Sequence, residues 1–178
     1  VCIPPCYVAG AAQYLDGRLP VTVVIGFPNG DNTTKVKIAE AEDAIANGAS
    51  ELDMVINVGW VKSGRFDLVE NEIKKMREVT KGHILKVIIE CCLLTEEEKK
   101  HMCRIVTEAG ADFIKTSTGF STGGATISDV KLLRANVGPD VKVKAAGGIH
   151  SLVEAENFLN NGADRLGTSS VISQVSKL

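Results

Sequence analysis

Short apolar runs alternate with longer amphipathic stretches along the whole chain. The apolar runs predict seven β-strands, at Val1–Ile3, Val21–Phe27, Glu51–Asn57, Ile84–Glu90, Phe113–Ser117, Val141–Ala146 and Arg165–Thr168. The stretches between them predict helices at Thr34–Ala46, Leu68–Val79, Thr95–Glu108, Ser128–Asn136 and Leu152–Asn160. A run as continuously apolar as residues 21–25 is typical of a parallel strand covered on both faces. The regular alternation therefore predicts an α/β fold built on a parallel sheet.

Three junctions share one pattern, in which an amphipathic stretch ends at a glycine and a short polar step leads into the next apolar run. The glycines are Gly48, Gly110 and Gly162. Glycine adopts the left-handed conformation that commonly ends a helix, so each junction reads as helix, stop, strand. A closed TIM-type (β/α)8 barrel has eight strands and typically about 250 residues. We therefore expect a single barrel domain over residues 1–178 that lacks its first βα unit, about 40 residues by that same pattern.

Composition narrows the class of partner. The chain has 178 residues, 44% of them apolar, and a net charge of -2, which offers no basic face for nucleic acid or a membrane surface. No apolar run approaches the roughly 20 residues that cross a bilayer. Five cysteines, an odd number without C-x-x-C spacing, suit a reducing cytoplasm. Scattered histidines give no metal-ligand spacing, and no G-x-G-x-x-G follows a strand, so we predict neither a metal nor a cofactor. A small molecule is the expected partner.

Polar residues at the ends of apolar strands are the candidates for chemistry. In a barrel, catalytic groups project from the carboxyl ends of several strands. Burying an ammonium is costly unless it is paired or neutral, and a neutral lysine amine can form a Schiff base with a carbonyl. Lys115 and Lys144 occupy equivalent places on their strands, and a second cation nearby favours the neutral amine. The other candidates are Cys2, Asp53, Asn57, Lys86 and Glu90. The alternative is a buried ion-pair network without catalytic function.

Small residues close three late strands and predict an anion site. They are Thr118-Gly119, Gly147-Gly148 and Ser169-Ser170. Barrels often bind phosphate at the ends of late strands, through backbone N–H groups and a short helix N-terminus. A phosphorylated substrate is therefore expected. The alternative for each glycine pair is a tight turn with no ligand.

Several segments together resemble one enzyme family from end to end. They are Val1-Cys-Ile-Pro-Pro5, Val24-Ile-Gly-Phe-Pro28, Glu51-Leu-Asp-Met-Val-Ile-Asn57, Lys86-Val-Ile-Ile-Glu90, residues 113–126 and Val143-Lys-Ala-Ala-Gly-Gly-Ile149. In this respect the chain is similar to the deoxyribose-phosphate aldolases. The resemblance implies a metal-free class I aldolase, a lyase of deoxynucleoside catabolism. Such an enzyme reversibly cleaves 2-deoxy-D-ribose 5-phosphate into D-glyceraldehyde 3-phosphate and acetaldehyde.

The resemblance also implies a role for each site residue. Lys115 matches the Schiff-base lysine, Lys144 the lysine beside it, and Asp53 the aspartate that exchanges protons with that lysine. The matching phosphate region comprises Gly119, Gly147, Gly148, Ser169 and Ser170. We add Thr118, Cys2 and Lys86 as substrate-side residues, with Lys86 orienting Asp53 by charge. A homodimer through barrel helices is expected.

The chain departs from the family pattern in its first strand. The Asp-His-Thr segment of the family has no counterpart here, and Cys2-Ile-Pro-Pro5 replaces the commoner Cys-Val-Asn-Pro. Two alternatives follow. One is a Schiff-base aldolase for a different aldehyde pair. The other is a truncated barrel that binds sugar phosphate or self-associates without turnover, because an open barrel exposes sheet edges.

Overall fold

The structure is a computed structural model that describes residues 1–175. Its contacts group into two compact units, one of residues 1–87 with 109–112 and one of residues 88–108 with the described residues from 113 to 175. Residues 176–178, with which the predicted single domain ends, lie outside the described part. That prediction of one domain over 1–178 stays a prediction.

The first unit carries four strands in chain order, β1-β2-β3-β4, and four α-helices. Strand β1 pairs with β2, and β2 with β3, in parallel. The elements are β1 (Cys2–Ile3), a 3-10 turn (Pro5–Tyr7), α1 (Val8–Leu15), β2 (Thr22–Ile25), α2 (Thr34–Ala46), β3 (Glu51–Val55), α3 (Val58–Lys62), α4 (Phe66–Val79) and β4 (Ile84–Ile88), whose last residue belongs to the second unit.

The second unit carries three parallel strands, also in chain order, with four α-helices among the described residues. The elements are a 3-10 turn (Cys91–Leu93), α5 (Glu96–Glu108), β5 (Phe113–Lys115), α6 (Ile127–Asn136), β6 (Lys142–Ala146), α7 (Leu152–Asn160), β7 (Arg165–Gly167) and α8 (Ile172–Val175). The predicted alternation of strand and helix is confirmed. So are the helix stops, since Gly48, Gly110 and Gly162 all have positive φ.

Most predicted strands are too long, and local conformation explains where they end. The strand predicted to Phe27 ends at Ile25, because Gly26 turns with φ 62°. The strand predicted to Glu90 ends at Ile88, since Glu90 is left-handed with φ 55°. The strand predicted to Asn57 ends at Val55, and the Asn57 side chain caps α3 by accepting a hydrogen bond from Trp60 N–H at 3.0 Å. Polar and conformational constraints thus override apolar patterning at strand ends.

Two predicted helices, at 34–46 and 152–160, match the structure in full, and each has a side-chain cap. Thr33 accepts a hydrogen bond from Val36 N–H, and Ser151 forms a reciprocal capping box with Glu154. The sequence patterns missed α1, α3 and α8, all of eight residues or fewer. Helices this short leave too few turns for a clear apolar period.

The strands form the centre of each unit. All four residues of β2 and all five of β3 are buried, and so are all three of β5. Burial on both faces is what a parallel sheet covered by helices requires. It also means that any charged side chain on these strands is held in a site with little water, where its partners decide its chemistry.

Candidate active site

Two buried lysines occupy neighbouring strands of the second unit. Lys115 is the last residue of β5, Lys144 lies in β6, and the two are partners in the parallel register. Each residue is only 4% exposed. Adjacent strands lie about 4.8 Å apart, and register partners project to the same face of a sheet. The fold therefore places the two lysines on neighbouring strands with their side chains on the same face.

Further positive charge lies on β6 and on the neighbouring strand β7. Arg165 of β7 is the register partner of Lys144, and its guanidinium carbon lies 4.9 Å from the centre of the Phe113 ring. The amine of Lys142 lies 5.8 Å from the centre of the same ring. A nearby positive charge disfavours the protonated form of an amine. The neutral form is the nucleophile that Schiff-base chemistry needs.

Hydrogen bonds fix the end of β5. The Lys115 carbonyl accepts from Ile89 N–H at 3.1 Å, and the Thr116 carbonyl accepts from Cys91 N–H at 2.8 Å. The Thr116 hydroxyl reaches Ala146 of β6, where it accepts from the N–H at 3.2 Å and donates to the carbonyl at 3.3 Å. The backbone that carries Lys115 is therefore held by the segments on both of its sides.

Glu90 lies between those two backbone donors, and its side chain is directed at the loop after β5. The residue is 4% exposed. Its carboxylate accepts hydrogen bonds from the Thr118 hydroxyl at 2.5 Å and from the Thr118 N–H at 3.2 and 3.3 Å. The Sγ atom of Cys92 lies 4.0 Å from the same carboxylate. Thr118 is therefore held through both its backbone and its side chain.

Glycines bring the loops after β5 and β6 into backbone contact. A Cβ on Gly124 would stand 2.4 Å from the carbonyl oxygen of Gly147, and a Cβ on Gly147 would stand 3.3 Å from the Cα of Gly119. The Ala125 N–H donates to the carbonyls of Ala146 and Gly147 at 3.1 and 3.0 Å. No side chain fits between these backbones. Exposed backbone of this kind supplies the N–H groups with which proteins hold phosphate.

The remaining predicted phosphate residues are exposed at the ends of β6 and β7, and they are Gly148, Ser169 and Ser170. Two contacts link these ends. The Thr168 hydroxyl donates to the Ile149 carbonyl at 2.7 Å. The Ser170 hydroxyl lies 3.3 Å from Nδ1 of His150. The second unit therefore brings together Lys115, Lys144 and all the predicted phosphate-binding residues.

The first unit holds the predicted aspartate in a buried ion-pair network. Asp53 and Lys86 are both 0% exposed, and the Lys86 Nζ atom lies 2.9 Å from Asp53 Oδ1 and 2.6 Å from Glu51 Oε2. Glu51 also accepts from the Thr22 hydroxyl at 3.0 Å, and the Cys2 Sγ atom lies 4.0 Å from Asp53 Oδ2. This geometry supports the idea that Lys86 orients Asp53. It also contains the ion-pair network that the sequence left open as an alternative.

A second buried pair underlies the end of β3. The Lys37 amine lies 2.8 Å from Glu72 Oε2 and donates to the Val55 carbonyl at 2.8 Å. Burial lowers the pKa of Lys37 and raises that of Glu72, while the attraction between the two charges opposes both shifts. The side chain of Lys37 passes close to Gly26, since a Cβ added to this glycine would stand 2.8 Å from the lysine Cε. Lys37 thus ties α2 and α4 to the strand that carries Asp53.

Sequence reasoning missed several of these residues. Glu51 could have been found, since it precedes Asp53 by two positions and so shares its strand face. Arg165 has no such neighbour in its own strand, and its place beside Lys144 comes from the strand register. No sequence signal identifies Lys37 and Glu72, because each lies on a helix among charged residues and their pairing is a tertiary contact.

Two features are absent from the described residues. Over residues 1–175, no group of three or more histidine, cysteine, aspartate or glutamate side chains is arranged to hold a metal ion. In that same part of the chain, no helix combines the length and apolar character needed to cross a membrane.

Comparison with known sequences identifies relatives over nearly the whole chain. A family model described as DeoC/LacD family aldolase matches residues 1–166. A curated protein named deoxyribose-phosphate aldolase, from Streptococcus pyogenes serotype M4 (strain MGAS10750), is 58% identical over 174 residues. The match covers 98% of this chain and 78% of that protein.

Solved structures extend the likeness to the fold. The structure of an aldolase named QR15 matches with a TM-score of 0.95 and 44% identity, over 99% of this chain and 81% of that one. The tetrameric deoxyribose phosphate aldolase of Aeropyrum pernix matches with a TM-score of 0.90 and 31% identity, over 99% and 77% of the two chains. The predicted TIM-type barrel fold, with seven βα units in this chain, is confirmed by this likeness.

Proposed function

Because the chain belongs to the DeoC/LacD aldolase family, we propose that Lys115 is its Schiff-base lysine and that Lys144 assists it. The prediction of a deoxyribose-phosphate aldolase, and with it of a carbon–carbon lyase, is confirmed at 58% identity over 98% of the chain. One observation supports the assignment of the lysines. They are buried register partners on β5 and β6, with Arg165 as a further cationic neighbour.

The reaction assigns a covalent step to Lys115. Its neutral amine adds to the C1 aldehyde of open-chain 2-deoxy-D-ribose 5-phosphate, and the carbinolamine takes up a proton and loses water to leave an iminium ion. The C3 hydroxyl then gives up its proton, and the electron pair of the C2–C3 bond moves into the iminium. D-Glyceraldehyde 3-phosphate leaves, and the former C3 of the sugar is its aldehyde carbon. The enamine that remains takes a proton at C2, and water releases acetaldehyde and restores the amine.

Two proton transfers accompany cleavage, one from the C3 hydroxyl and one to C2, and we assign them to Asp53 and Lys144. A carboxylate can accept the C3 hydroxyl proton, and a protonated group must deliver one to C2. Asp53 is held by Lys86 at 2.9 Å, so its carboxylate has a fixed position in the first unit. We propose that substrate phosphate is held by the backbone of Gly119, Gly147 and Gly148 together with Ser169 and Ser170. The contact between the Gly119 and Gly147 loops supports this assignment.

Trapping with borohydride tests the Schiff base directly. The protein is incubated with acetaldehyde and sodium borohydride, digested, and examined by mass spectrometry for an ethyl group on lysine. We expect the adduct on Lys115 in the wild type and in the exposed control variant Lys131→Ala, and no adduct in Lys115→Ala. An adduct on a different lysine would overturn the assignment. Release of acetaldehyde from 2-deoxy-D-ribose 5-phosphate then measures turnover in the same samples.

We also propose a cellular location and an oligomeric state. Cys2, Cys6, Cys91, Cys92 and Cys103 are all free thiols, which supports a reducing compartment such as the cytoplasm. We also propose a homodimer. Light scattering after size exclusion tests it, and a monomer at micromolar concentration would contradict it.

A further inference from the structure

The segment between β4 and the 3-10 turn at residues 91–93 contains an unusual residue. Glu90 has φ 55° and ψ 67°, the left-handed region that side chains other than glycine rarely adopt. Such conformations persist only where the surroundings hold them, and they cluster at functional sites. Glu90 is also an acidic residue with 4% exposure, and a buried carboxylate needs several donors. Both features call for an explanation from its contacts.

The backbone contacts explain the left-handed turn. The residues before and after Glu90 donate N–H groups to the carbonyls of Lys115 and Thr116. The chain therefore follows the end of β5 on both sides of Glu90. The left-handed conformation of Glu90 lies between these two hydrogen bonds, and both are kept.

The Glu90 side chain is directed at one residue, Thr118. Both the hydroxyl and the N–H of Thr118 donate to the Glu90 carboxylate. The Thr118 hydroxyl in turn accepts a hydrogen bond from Phe120 N–H at 3.1 Å. Hydrogen bonds to an ionised acceptor are the strong ones. The turn at Thr118–Gly119 is therefore defined by Glu90 from one side.

We propose that Glu90 is a positioning residue, whose buried carboxylate fixes the Thr118–Gly119 turn in the shape that receives the phosphate of the substrate. The proposal rests on the proposed function. Gly119 approaches Gly147 closely, since a Cβ on Gly147 would stand 3.3 Å from the Gly119 Cα and 3.7 Å from its nitrogen. Moving Thr118 moves Gly119, and the backbone surface formed with the Gly147 loop changes shape. Lys115 is held separately, through the carbonyls of residues 115 and 116.

A comparison of two substrates tests this division of roles. The kcat/KM is measured for 2-deoxy-D-ribose 5-phosphate and for unphosphorylated 2-deoxy-D-ribose. For Glu90→Gln we expect a fall of about tenfold to a hundredfold with the phosphorylated sugar, the usual effect of losing a hydrogen bond to a charged group. With the unphosphorylated sugar, which makes no phosphate contact, we expect kcat/KM to change less than about threefold. Acetaldehyde trapping on Lys115 should be retained.

Further variants separate the role of the carboxylate from that of the backbone. Glu90→Gly removes the carboxylate but suits the positive φ, so a residue needed only for its turn would tolerate it. We expect kcat/KM for the phosphorylated sugar to fall as much in Glu90→Gly as in Glu90→Gln, with little change for the unphosphorylated sugar. Thr118→Val removes the partner hydroxyl, and the double variant Glu90→Gln/Thr118→Val should be no worse than the poorer single variant. Glu108→Gln makes the same chemical change at an exposed position of the second unit and should match the wild type.

The outcomes distinguish this inference from the function on which it rests. Full activity of Glu90→Gly, or an equal loss with both sugars, would overturn the positioning role while leaving the aldolase intact. Additive losses in the double variant would show that Glu90 and Thr118 act separately, which also contradicts it. A wild-type protein that forms no adduct and cleaves no sugar phosphate would instead overturn the assigned function and this inference with it.

Discussion

Lys144 is the register partner of Lys115 across β5 and β6, and both residues are buried to the same extent. The sheet sets the separation of their backbones, about 4.8 Å between neighbouring strands. Register partners project from the same face of a sheet, so we expect each lysine to influence the charge of the other.

Replacing Lys144 should change the pH at which Lys115 reacts. In Lys144→Met the neighbouring charge is lost, protonation of the Lys115 amine becomes easier, and adduct formation with acetaldehyde should require a higher pH. Lys144→Arg keeps the charge and should leave that pH close to wild type. The pH dependence of borohydride trapping measures both. An unchanged profile for Lys144→Met would show that Lys144 does not tune Lys115.

The loop contact at Gly124 should tolerate no side chain. In Gly124→Ala the new Cβ would stand 2.4 Å from the carbonyl oxygen of Gly147, so one of the two loops must move. We expect a stability loss of about 1–3 kcal/mol, as for other overpacked sites. The kcat/KM for the phosphorylated sugar should fall at least about tenfold, which corresponds to 1.4 kcal/mol.

Gly10→Ala is the matched control for that substitution. Gly10 lies within α1, has no positive φ, and has nothing within 4 Å of an added Cβ. Alanine should stabilise this helix by up to about 1 kcal/mol. Urea unfolding of both variants, beside the sugar cleavage assay, compares a glycine needed for close approach with one that is not. Equal stability of the two variants would contradict the loop argument.

The sequence predicted the strands and their alternation because buried parallel strands are continuous apolar runs. Lys115, Lys144 and Asp53 interrupt such runs, which is why one sequence could single them out as candidates. The ends of the strands were less predictable. At Gly26 and Glu90 the backbone turns left-handed, and a hydropathy pattern carries no record of φ.

Contacts between distant residues were also beyond the sequence. Glu90 and Thr118 are 28 positions apart, and Lys37 and Glu72 are 35 positions apart. Lys37 and Glu72 look like ordinary surface residues in their own helices, and nothing in the sequence pairs Glu90 with Thr118. Only the packing of the helices and loops shows that their charges are buried and shared, and a single sequence gives no measure of packing.

The capping box of α7 should make stability depend on pH. The Glu154 carboxylate accepts from His150 N–H at 2.7 Å and from Ser151 N–H at 3.2 Å, and these bonds hold the pKa of Glu154 below its usual range. A lowered carboxyl pKa stabilises the fold above the unfolded value, about 4.3, and the contribution is lost as the pH falls through the folded value. The stability difference between wild type and Glu154→Gln should therefore shrink below about pH 4.

Glu156→Gln provides the comparison on the same helix, because Glu156 is exposed and lies outside the capping box. Thermal unfolding between neutral pH and pH 3 measures all three proteins. A difference between wild type and Glu154→Gln that stays constant over this range would argue against a contribution from the ionised cap.

The pair of Lys37 and Glu72 should be costly to break and less costly to replace. Both side chains are 0% exposed, so Lys37→Met leaves a buried carboxylate without its ammonium. Breaking a buried pair in this way typically destabilises a protein by about 3–5 kcal/mol. In Lys37→Met/Glu72→Leu neither charge remains, and most of that loss should be recovered, because a well-packed apolar pair avoids the desolvation penalty.

Activity should follow a different order from stability in these variants. Lys37 also donates to the Val55 carbonyl, two residues beyond Asp53 on β3, and the double variant cannot restore that hydrogen bond. We therefore expect the double variant to unfold in urea much like the wild type but to cleave the sugar phosphate more slowly. Lys74→Met removes an exposed ion pair with Glu70 and should cost no more than about 1 kcal/mol, with full activity. If the double variant were as active as the wild type, the buried pair would serve the stability of the first unit and not the placement of Asp53.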